Sequence, residues 1–173
     1  DLLPAVGAAA DAIIAAFEAG GRLYSLGNGG SAADAQHLAA ELAGRFRRER
    51  DPLPAVALTT DPSVMTAIGN DYSFDDAFGR QVRAHVRRGD IVVAFTTSGE
   101  SENVVRALDE ARRLGASTIL FAGRDGGRAR RLVDHAVIVP GEDTARIQEV
   151  HLLFLHLLSE RIDAWAAEGE RSG

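Results

Sequence analysis

Two polar loops and two histidine-bearing segments contain the residues of this chain that could do chemistry. The first loop, LGNGGS at residues 26–31, follows an apolar run and precedes an alanine-rich segment that favours a helix. Glycines let the backbone approach an anion, and the first N–H groups of a helix point toward it without partners. The loop therefore fits an anionic ligand, although a tight strand-to-helix turn without a ligand explains it equally well. Its spacing matches neither a nucleotide P-loop nor the GxGxxG fingerprint.

The second loop, TTSGES at residues 96–101, combines four hydroxyl groups with the predicted start of a helix. Hydroxyl donors and a positive helix end together suit a phosphomonoester. The simpler alternative is a helix N-cap, which needs only one or two of these hydroxyls. Glu100 lies inside this loop and must point away from the site if a dianion binds there.

The histidine-bearing segments offer acid–base and metal-binding groups. His37 and Glu41 are four residues apart on a predicted helix, so they share one face about one turn apart. This pair suits a divalent metal, or a base and its partner, although exposed pairs of this kind are common. His156 lies in a strongly apolar part of the last predicted helix, where an imidazole needs a partner. A hydrogen-bonded core histidine is the alternative.

Apolar runs alternate with helical segments along the whole chain, which predicts an α/β fold with a mostly parallel sheet covered on both faces. We expect one domain over residues 1–173, a three-layer α-β-α sandwich with long N- and C-terminal helices. Both polar loops then follow carboxyl ends of strands, where ligands bind in such sheets. We expect Ser31 or Asp34 to cap the second helix and residues 69–71 to end the third. Strands are predicted at 22–26, 54–58, 91–95, 117–122 and 136–139, and helices at 2–19, 31–47, 63–68, 75–86, 102–114, 126–132 and 144–167.

Composition limits the possible classes of protein. The 173 residues have a net charge of −6 and contain no cysteine, which excludes disulfides and thiolate metal sites. No apolar run approaches the 18 residues of a membrane span, and the acidic balance argues mildly against nucleic acid as a partner. No signal peptide is recognisable, so we expect a cytoplasmic protein, although the chain begins at Asp1 without a methionine. A solvated loop is the favoured interpretation of one local arginine cluster, Arg45, Arg47, Arg48 and Arg50.

Five segments occur in an order that resembles a known family. They are LGNGGS at 26–31, AQHLAAEL at 35–42, IGND at 68–71, TTSGES at 96–101 and RIQEVH at 146–151. Together they are similar to the phosphoheptose isomerases, the sedoheptulose-7-phosphate isomerase group within the sugar-isomerase (SIS) fold. The resemblance covers nearly the whole chain, with an amino-terminal helical region that is short for the family. It implies conversion of D-sedoheptulose 7-phosphate to D-glycero-D-manno-heptose 7-phosphate, the first step toward ADP- or GDP-heptose precursors.

The resemblance also implies roles for individual residues. Glu41 corresponds to the base that moves a proton between C1 and C2, and His156 to the complementary acid/base. One zinc ion per subunit is implied, with ligands on His37, Glu41, Gln148 and His156, and it would act as a Lewis acid. Substrate contacts are implied for Asn28, Gly29, Gly30, Ser31, Glu41, Asn70, Asp71, Thr96, Thr97, Ser98, Ser101 and Gln148.

The sequence departs from the family pattern at three positions and raises one geometric conflict. Thr96 stands where the family commonly has serine, and Glu100 stands where it commonly has asparagine. Ala145 replaces an aspartate of some relatives, and this replacement puts one substrate contact in doubt. Gln148 and His156 are eight residues apart, which is about 12 Å along an ideal helix. Either the last helix begins after Gln148, or neighbouring subunits share the site. The homotetramer of the family favours shared sites.

Two other functions are compatible with the fold. One is a non-catalytic adaptor of this fold that associates with the bacterial replication initiator. That adaptor shares the glycine loop and the RIQE segment but lacks the residues that correspond to Glu41 and His156, so their joint presence favours the enzyme. The other is a sugar-phosphate sensor without turnover, which the lack of a DNA-binding extension disfavours.

Overall fold

Five parallel strands form a central sheet with the order β2-β1-β3-β4-β5. The computed structural model describes residues 2–170. Leu23 of β1 pairs with Ala55 on one side and with Ile91 on the other, which places β1 between β2 and the central strand β3. The strands are β1 (Leu23–Gly27), β2 (Ala55–Ala57), β3 (Ile91–Thr96), β4 (Ser117–Gly123) and β5 (His135–Val139).

Helices cover both faces of this sheet because its strands are apolar on both sides. In β3, Ile91, Val93 and Phe95 contribute to one core cluster, whereas Val92 and Ala94 contribute to the other. Helices α1, α2 and α6 pack on the first face, and α3, α4 and α5 on the second. The three-layer prediction is therefore confirmed. The bounds are α1 (Leu3–Glu18), α2 (Gly30–Ala43), α3 (Pro62–Asp71), α4 (Ala77–His85), α5 (Glu102–Leu114) and α6 (Thr144–Glu170).

The third helix runs three residues past its predicted end at Ile68, so the prediction that residues 69–71 break it is wrong. Helix α3 includes these residues, and the Tyr72 N–H donates to the Ile68 carbonyl at 3.0 Å. The helix begins where Asp61 accepts a hydrogen bond from the Val64 N–H, with Pro62 at the first position. Once this cap fixes the start, a glycine near the last turn costs too little to stop the helix.

Three further boundaries differ from the predictions. Helix α2 starts from Gly29, which makes no side-chain cap, so neither Ser31 nor Asp34 is its N-cap. Helix α2 also ends at Ala43, four residues before the predicted end. The segment predicted to be helical over 126–132 contains only a 3-10 turn, Ala129–Leu132. The second strand is buried at its ends, but Val56 between them is exposed, as befits the sheet edge.

The arginine cluster is only partly the solvated loop that the sequence predicts. Arg50 is buried, and its Nε donates to Asp163 Oδ1 of α6 at 3.1 Å. Its Nη1 and Nη2 groups donate to the carbonyls of Glu41, Leu42 and Gly44. These are carbonyls at the end of α2, where a helix leaves acceptors without internal partners. Arg50 therefore caps α2 and joins it to α6.

Within the part of the chain that the structure describes, every helix is too short or too polar to span a bilayer.

His151 is a buried imidazole of α6 that lies edge-on to Phe95 and Phe121, at centroid distances of 6.2 Å each. Within residues 2–170, neither of its ring nitrogens has a partner of good hydrogen-bond geometry. Burial lowers the pKa of His151, and the Ala122 carbonyl opposes this effect only partly. The fold therefore holds the neutral imidazole.

We expect His151 to make the fold sensitive to acid. Because its folded pKa lies below the unfolded value of 6.5, the stabilisation is complete above pH 6.5 and is lost as the pH falls toward the folded pKa. His151→Leu should raise the free energy of unfolding by about 1 kcal/mol near pH 8, because it removes unpaired buried nitrogens. Its unfolding free energy should also depend less on pH between 7.5 and 5. Urea titrations at one fixed protein concentration measure both effects, with exposed His85→Gln as the control. Equal pH slopes for His151→Leu and the wild type would contradict this role.

Candidate active site

A cavity of about 320 Å³ lies between the two polar loops at the carboxyl edge of the sheet. It is where β1 and β3 end and α2 and α5 begin, as the sequence predicts for a ligand site. Residues of the glycine loop, the hydroxyl loop and the first turns of α6 form its walls. They are Asn28, Gly29, Gly30, Ser31, Phe95, Thr96, Thr97, Ser101, Thr144 and Gln148.

The glycine loop has its shape for two separate reasons. Gly29 has a φ of +57°, which side-chain-bearing residues rarely adopt. A Cβ on Gly30 would lie 2.6 Å from the amide group of Gln148, so a larger residue there would displace that amide from its place in the cavity. Asn28 exchanges two hydrogen bonds with the buried Asn103 of α5, at 2.8 and 2.9 Å. Sequence reasoning missed Asn103, which fixes the glycine loop against the helix that follows the hydroxyl loop.

The hydroxyl loop keeps its one carboxylate away from the cavity. Glu100 accepts hydrogen bonds from the Nε and the backbone N–H of Arg128, at 2.8 and 2.9 Å. These contacts lower the pKa of Glu100, which therefore remains ionised while directed at Arg128. The condition that a dianion site places on Glu100 is met. Within the loop, Thr96 Oγ1 accepts from the Gly99 N–H and Ser98 Oγ accepts from the Glu100 N–H, both at 3.2 Å.

A second cluster lies further along α2, where it meets α6. His37 Nε2 is 2.9 Å from Glu41 Oε1, and the His156 ring lies 5.1 Å from the His37 ring, edge to face. One ligand atom from each of the three residues lies within 4.8 Å of the other two, and all three side chains are half-buried. We refer to these three residues as the His–Glu–His cluster.

The His–Glu–His cluster fits a zinc ion by its donor set. Two imidazole nitrogens and one carboxylate oxygen are typical of catalytic zinc sites, which keep a fourth position open for substrate or water. Ligands at about 2.0–2.2 Å in a tetrahedron are about 3.3–3.6 Å apart, which small side-chain movements can reach from the observed spacing.

Asp34 is a buried carboxyl group one turn before His37 that sequence reasoning treated only as a possible cap. Its Oδ2 has no partner of good geometry within residues 2–170. Burial raises the pKa of Asp34 to about 6, although the nearby His37 opposes the shift. Its spacing of three residues from His37 was the signal that could have marked it as a neighbour of that histidine.

Another cavity, of about 530 Å³, lies at the opposite edge of the sheet and has a basic lining. Helices α1 and α4 end there, and helix carboxyl ends are negative. Arg87 donates to the carbonyls of Ala84 and Val86 at the end of α4, at 3.0 and 2.8 Å. Arg87 therefore neutralises the end of α4, and we place the candidate site at the carboxyl edge despite the smaller cavity there.

The structure separates residues that the resemblance assigns to one zinc site. Helix α6 begins at Thr144, where the Asp143 carboxylate accepts the N–H groups of Ala145 and Arg146 at 2.8 and 3.2 Å. The option that this helix begins after Gln148 is therefore wrong. Gln148 lines the cavity, while His156 is two turns further along, in the His–Glu–His cluster.

Four of the predicted substrate contacts lie outside the cavity lining of their own chain, and one of them, Glu41, belongs to the His–Glu–His cluster. Asn70 and Asp71 are exposed at the end of α3, and Asn70 Nδ2 donates to Asp71 Oδ1 at 2.8 Å. Ser98 is in the hydroxyl loop but does not line the cavity. Thr144, which does line it, was not predicted.

Comparison with known proteins identifies the class first. The family model described as "SIS domain" matches residues 2–123, which include β1 to β4 and both polar loops. The chain is thus a SIS-domain protein, and its fold is the fold of that family.

More similar proteins narrow the class. A phosphoheptose isomerase of Aquifex aeolicus is 52% identical over 156 residues, which cover 90% of this chain and 82% of the relative. A solved phosphoheptose isomerase of Neisseria gonorrhoeae superposes with a TM-score of 0.89 at 44% identity, over 94% of this chain and 87% of its own. One of Francisella tularensis superposes with 0.90 at 41% identity, over 93% and 86%. The chain belongs to the phosphoheptose isomerase family.

Proposed function

We propose that this protein isomerises D-sedoheptulose 7-phosphate to D-glycero-D-manno-heptose 7-phosphate, the first step toward nucleotide-activated heptose, in the cytoplasm. The observation that carries the proposal is the convergence of His37, Glu41 and His156 in a chain of this family. A non-catalytic adaptor of this fold has no need of that convergence. The loop hydroxyls and the outward direction of Glu100 support a phosphorylated substrate.

The reaction needs one group that moves a carbon-bound proton and one that manages protons on oxygen. Glu41 would take a proton from C1 of the ketose and return it at C2, with an enediol between the two steps. His156 would move the proton between the O1 and O2 oxygens. The hydroxyl loop would bind the phosphate and hold the far end of the substrate, so that C1 and C2 face Glu41.

We propose one zinc ion per subunit, held by His37, Glu41 and His156. When bound, it would polarise the substrate carbonyl as a Lewis acid. Gln148 of a neighbouring subunit would complete the ligand set, since in its own chain that side chain lines the phosphate cavity. This arrangement removes the conflict between Gln148 and His156 on one continuous helix.

An assembly with shared sites is supported by the surface of α6. Leu152, Leu153 and Leu157 are exposed by 37%, 55% and 37%, and they flank His156 on one side of the helix. Exposed apolar patches of this kind are typical of protein–protein contacts. We propose that this face packs against other copies of the chain in a homotetramer, which brings the cavity of one subunit to the His–Glu–His cluster of the next.

Glu41→Gln tests the catalytic proposal. The variant should lower kcat for aldose formation from sedoheptulose 7-phosphate by about 10²–10⁴-fold, because the amide cannot accept the carbon-bound proton. Circular dichroism and gel filtration should remain those of the wild type. Glu49→Gln, an exposed change eight residues further on, is the matched control and should keep full turnover. Full activity of Glu41→Gln would refute the assignment.

Metal removal tests the zinc proposal. Protein treated with a chelator should lose isomerase turnover and regain it with about one equivalent of zinc per subunit. His37→Asn should not regain it under the same conditions, because one imidazole ligand is missing. Undiminished turnover by protein shown by elemental analysis to be metal-free would contradict the proposal.

Mixed assemblies test the sharing of sites. Gln148→Ala and His156→Asn should each be inactive alone, yet subunits mixed through mild denaturation and renaturation should recover activity. Random pairing leaves about a quarter of shared sites with both native residues, so recovery to about a quarter of wild-type turnover is expected. A mixture of His37→Asn and His156→Asn damages the same half of every site and should recover nothing. Equal recovery in both mixtures, or none in the first, would contradict shared sites.

A further inference from the structure

We infer that Phe46 is a positioning residue that holds the His156 imidazole in the orientation needed for metal binding and proton transfer; this rests on the proposed function. Phe46 lies in the irregular segment after α2, and its ring stacks on His156 with a centroid distance of 5.9 Å and an interplanar angle of 22°. Neither family motifs nor helical spacing mark this residue.

The stack matters because, in the part of the chain that the structure describes, ring contacts rather than hydrogen bonds hold this imidazole. Within residues 2–170, no hydrogen bond is made by either nitrogen of His156, and the aromatic contacts of its ring are with His37 and Phe46. Histidine ligands of metals are usually held by a hydrogen bond from the second ring nitrogen to a neighbouring acceptor. In this protein the flat face of the Phe46 ring takes the place of that hydrogen bond. His37 meets the imidazole edge to face, so the two contacts together restrict rotation of the His156 ring.

The segment that carries Phe46 is itself fixed to α6. The Arg47 and Arg48 N–H groups donate to Asp163 Oδ2, at 3.3 and 2.9 Å. The Arg47 guanidinium lies 4.9 Å from the Phe46 ring centroid and pairs with Glu160 at 3.0 Å. Phe46 thus contacts both a cation that is paired with α6 and an imidazole that α6 carries.

A second aromatic stack on α6 provides a matched control. Phe17 of α1 stacks on Trp165 with a centroid distance of 6.4 Å and an angle of 17°, and neither residue belongs to the site. Removal of the Phe17 ring costs the protein a comparable stack on the same helix. Any loss confined to Phe46 variants is therefore a loss of positioning rather than of general stability.

The test compares Phe46→Ala, Phe46→Leu, Phe46→Tyr and Phe17→Ala. Zinc affinity is measured by competition with a chromophoric chelator, and kcat and KM are measured with sedoheptulose 7-phosphate. Phe46→Ala and Phe46→Leu should bind zinc about 10-fold more weakly and lower kcat about 10-fold, with KM within about twofold, because the phosphate cavity is intact. Phe46→Tyr keeps a flat face and should stay within about twofold of the wild type, as should Phe17→Ala.

Three outcomes would overturn the inference. Phe46→Ala could match Phe17→Ala in zinc affinity and kcat, Phe46→Leu could match the wild type, or Phe46→Tyr could fail as badly as Phe46→Ala. Phe46→Leu keeps apolar volume and serves if the alanine variant does not fold. Failure of the proposed function can be told apart from failure of this inference. If the wild type formed no aldose, the zinc affinities would still show whether Phe46 positions His156.

Discussion

The buried ion pair between Arg50 and Asp163 is the constraint on which the site depends. Their side chains are exposed by 0% and 3%, so each charge has left water and needs the other. Loss of one partner from such a pair costs on the order of 3–5 kcal/mol, because the remaining charge stays buried. Arg50 also holds the Glu41 carbonyl at 2.7 Å, while Asp163 belongs to the helix that carries His156. The pair therefore fixes the distance between the two helices that supply the His–Glu–His cluster.

The planar guanidinium is suited to this position. One nitrogen faces the carboxylate, and the other two face carbonyls at the end of α2. A lysine ammonium could not reach all these acceptors, because it is a compact charge without a fork of donors. The Asp163 carboxylate also fixes the segment after α2, because it accepts hydrogen bonds from the backbone N–H groups of Arg47 and Arg48. The side chains of Arg50 and Asp163 thus join the end of α2, the segment that follows it, and α6.

Most of the fold could be predicted from the sequence because its signals are local. The bounds of α5 agree at both ends with the prediction, and the left-handed Gly115 that ends it is a local stop signal. The end of α3 could not be predicted in this way. Gly69 would break the helix on its own, but the Asp61 cap and the hydrogen bond from Tyr72 to Ile68 outweigh its effect. Burial of Arg50 was likewise hidden, because its partner lies 113 residues away along the chain.

The site likewise has features that local sequence signals predict and features that depend on contacts between distant residues. Helical spacing correctly raised the conflict between Gln148 and His156, since it depends only on the rise per residue. Asn103 and Phe46 could not be found, because their roles arise from contacts with Asn28 and His156 that only the packing of helices creates. Residues that meet across the fold leave no periodic trace in the sequence.

The eight-residue separation of Gln148 and His156 has a consequence for how turnover depends on the concentration of the protein. If each reaction centre needs residues from two chains, an isolated subunit is chemically incomplete. Turnover would then rise faster than linearly with protein concentration until assembly is complete, and only linearly beyond it. A cell that makes little of this protein would hold inert halves rather than slow enzymes, so flux would have a threshold in expression, and substrate bound between subunits would lower that threshold by favouring assembly.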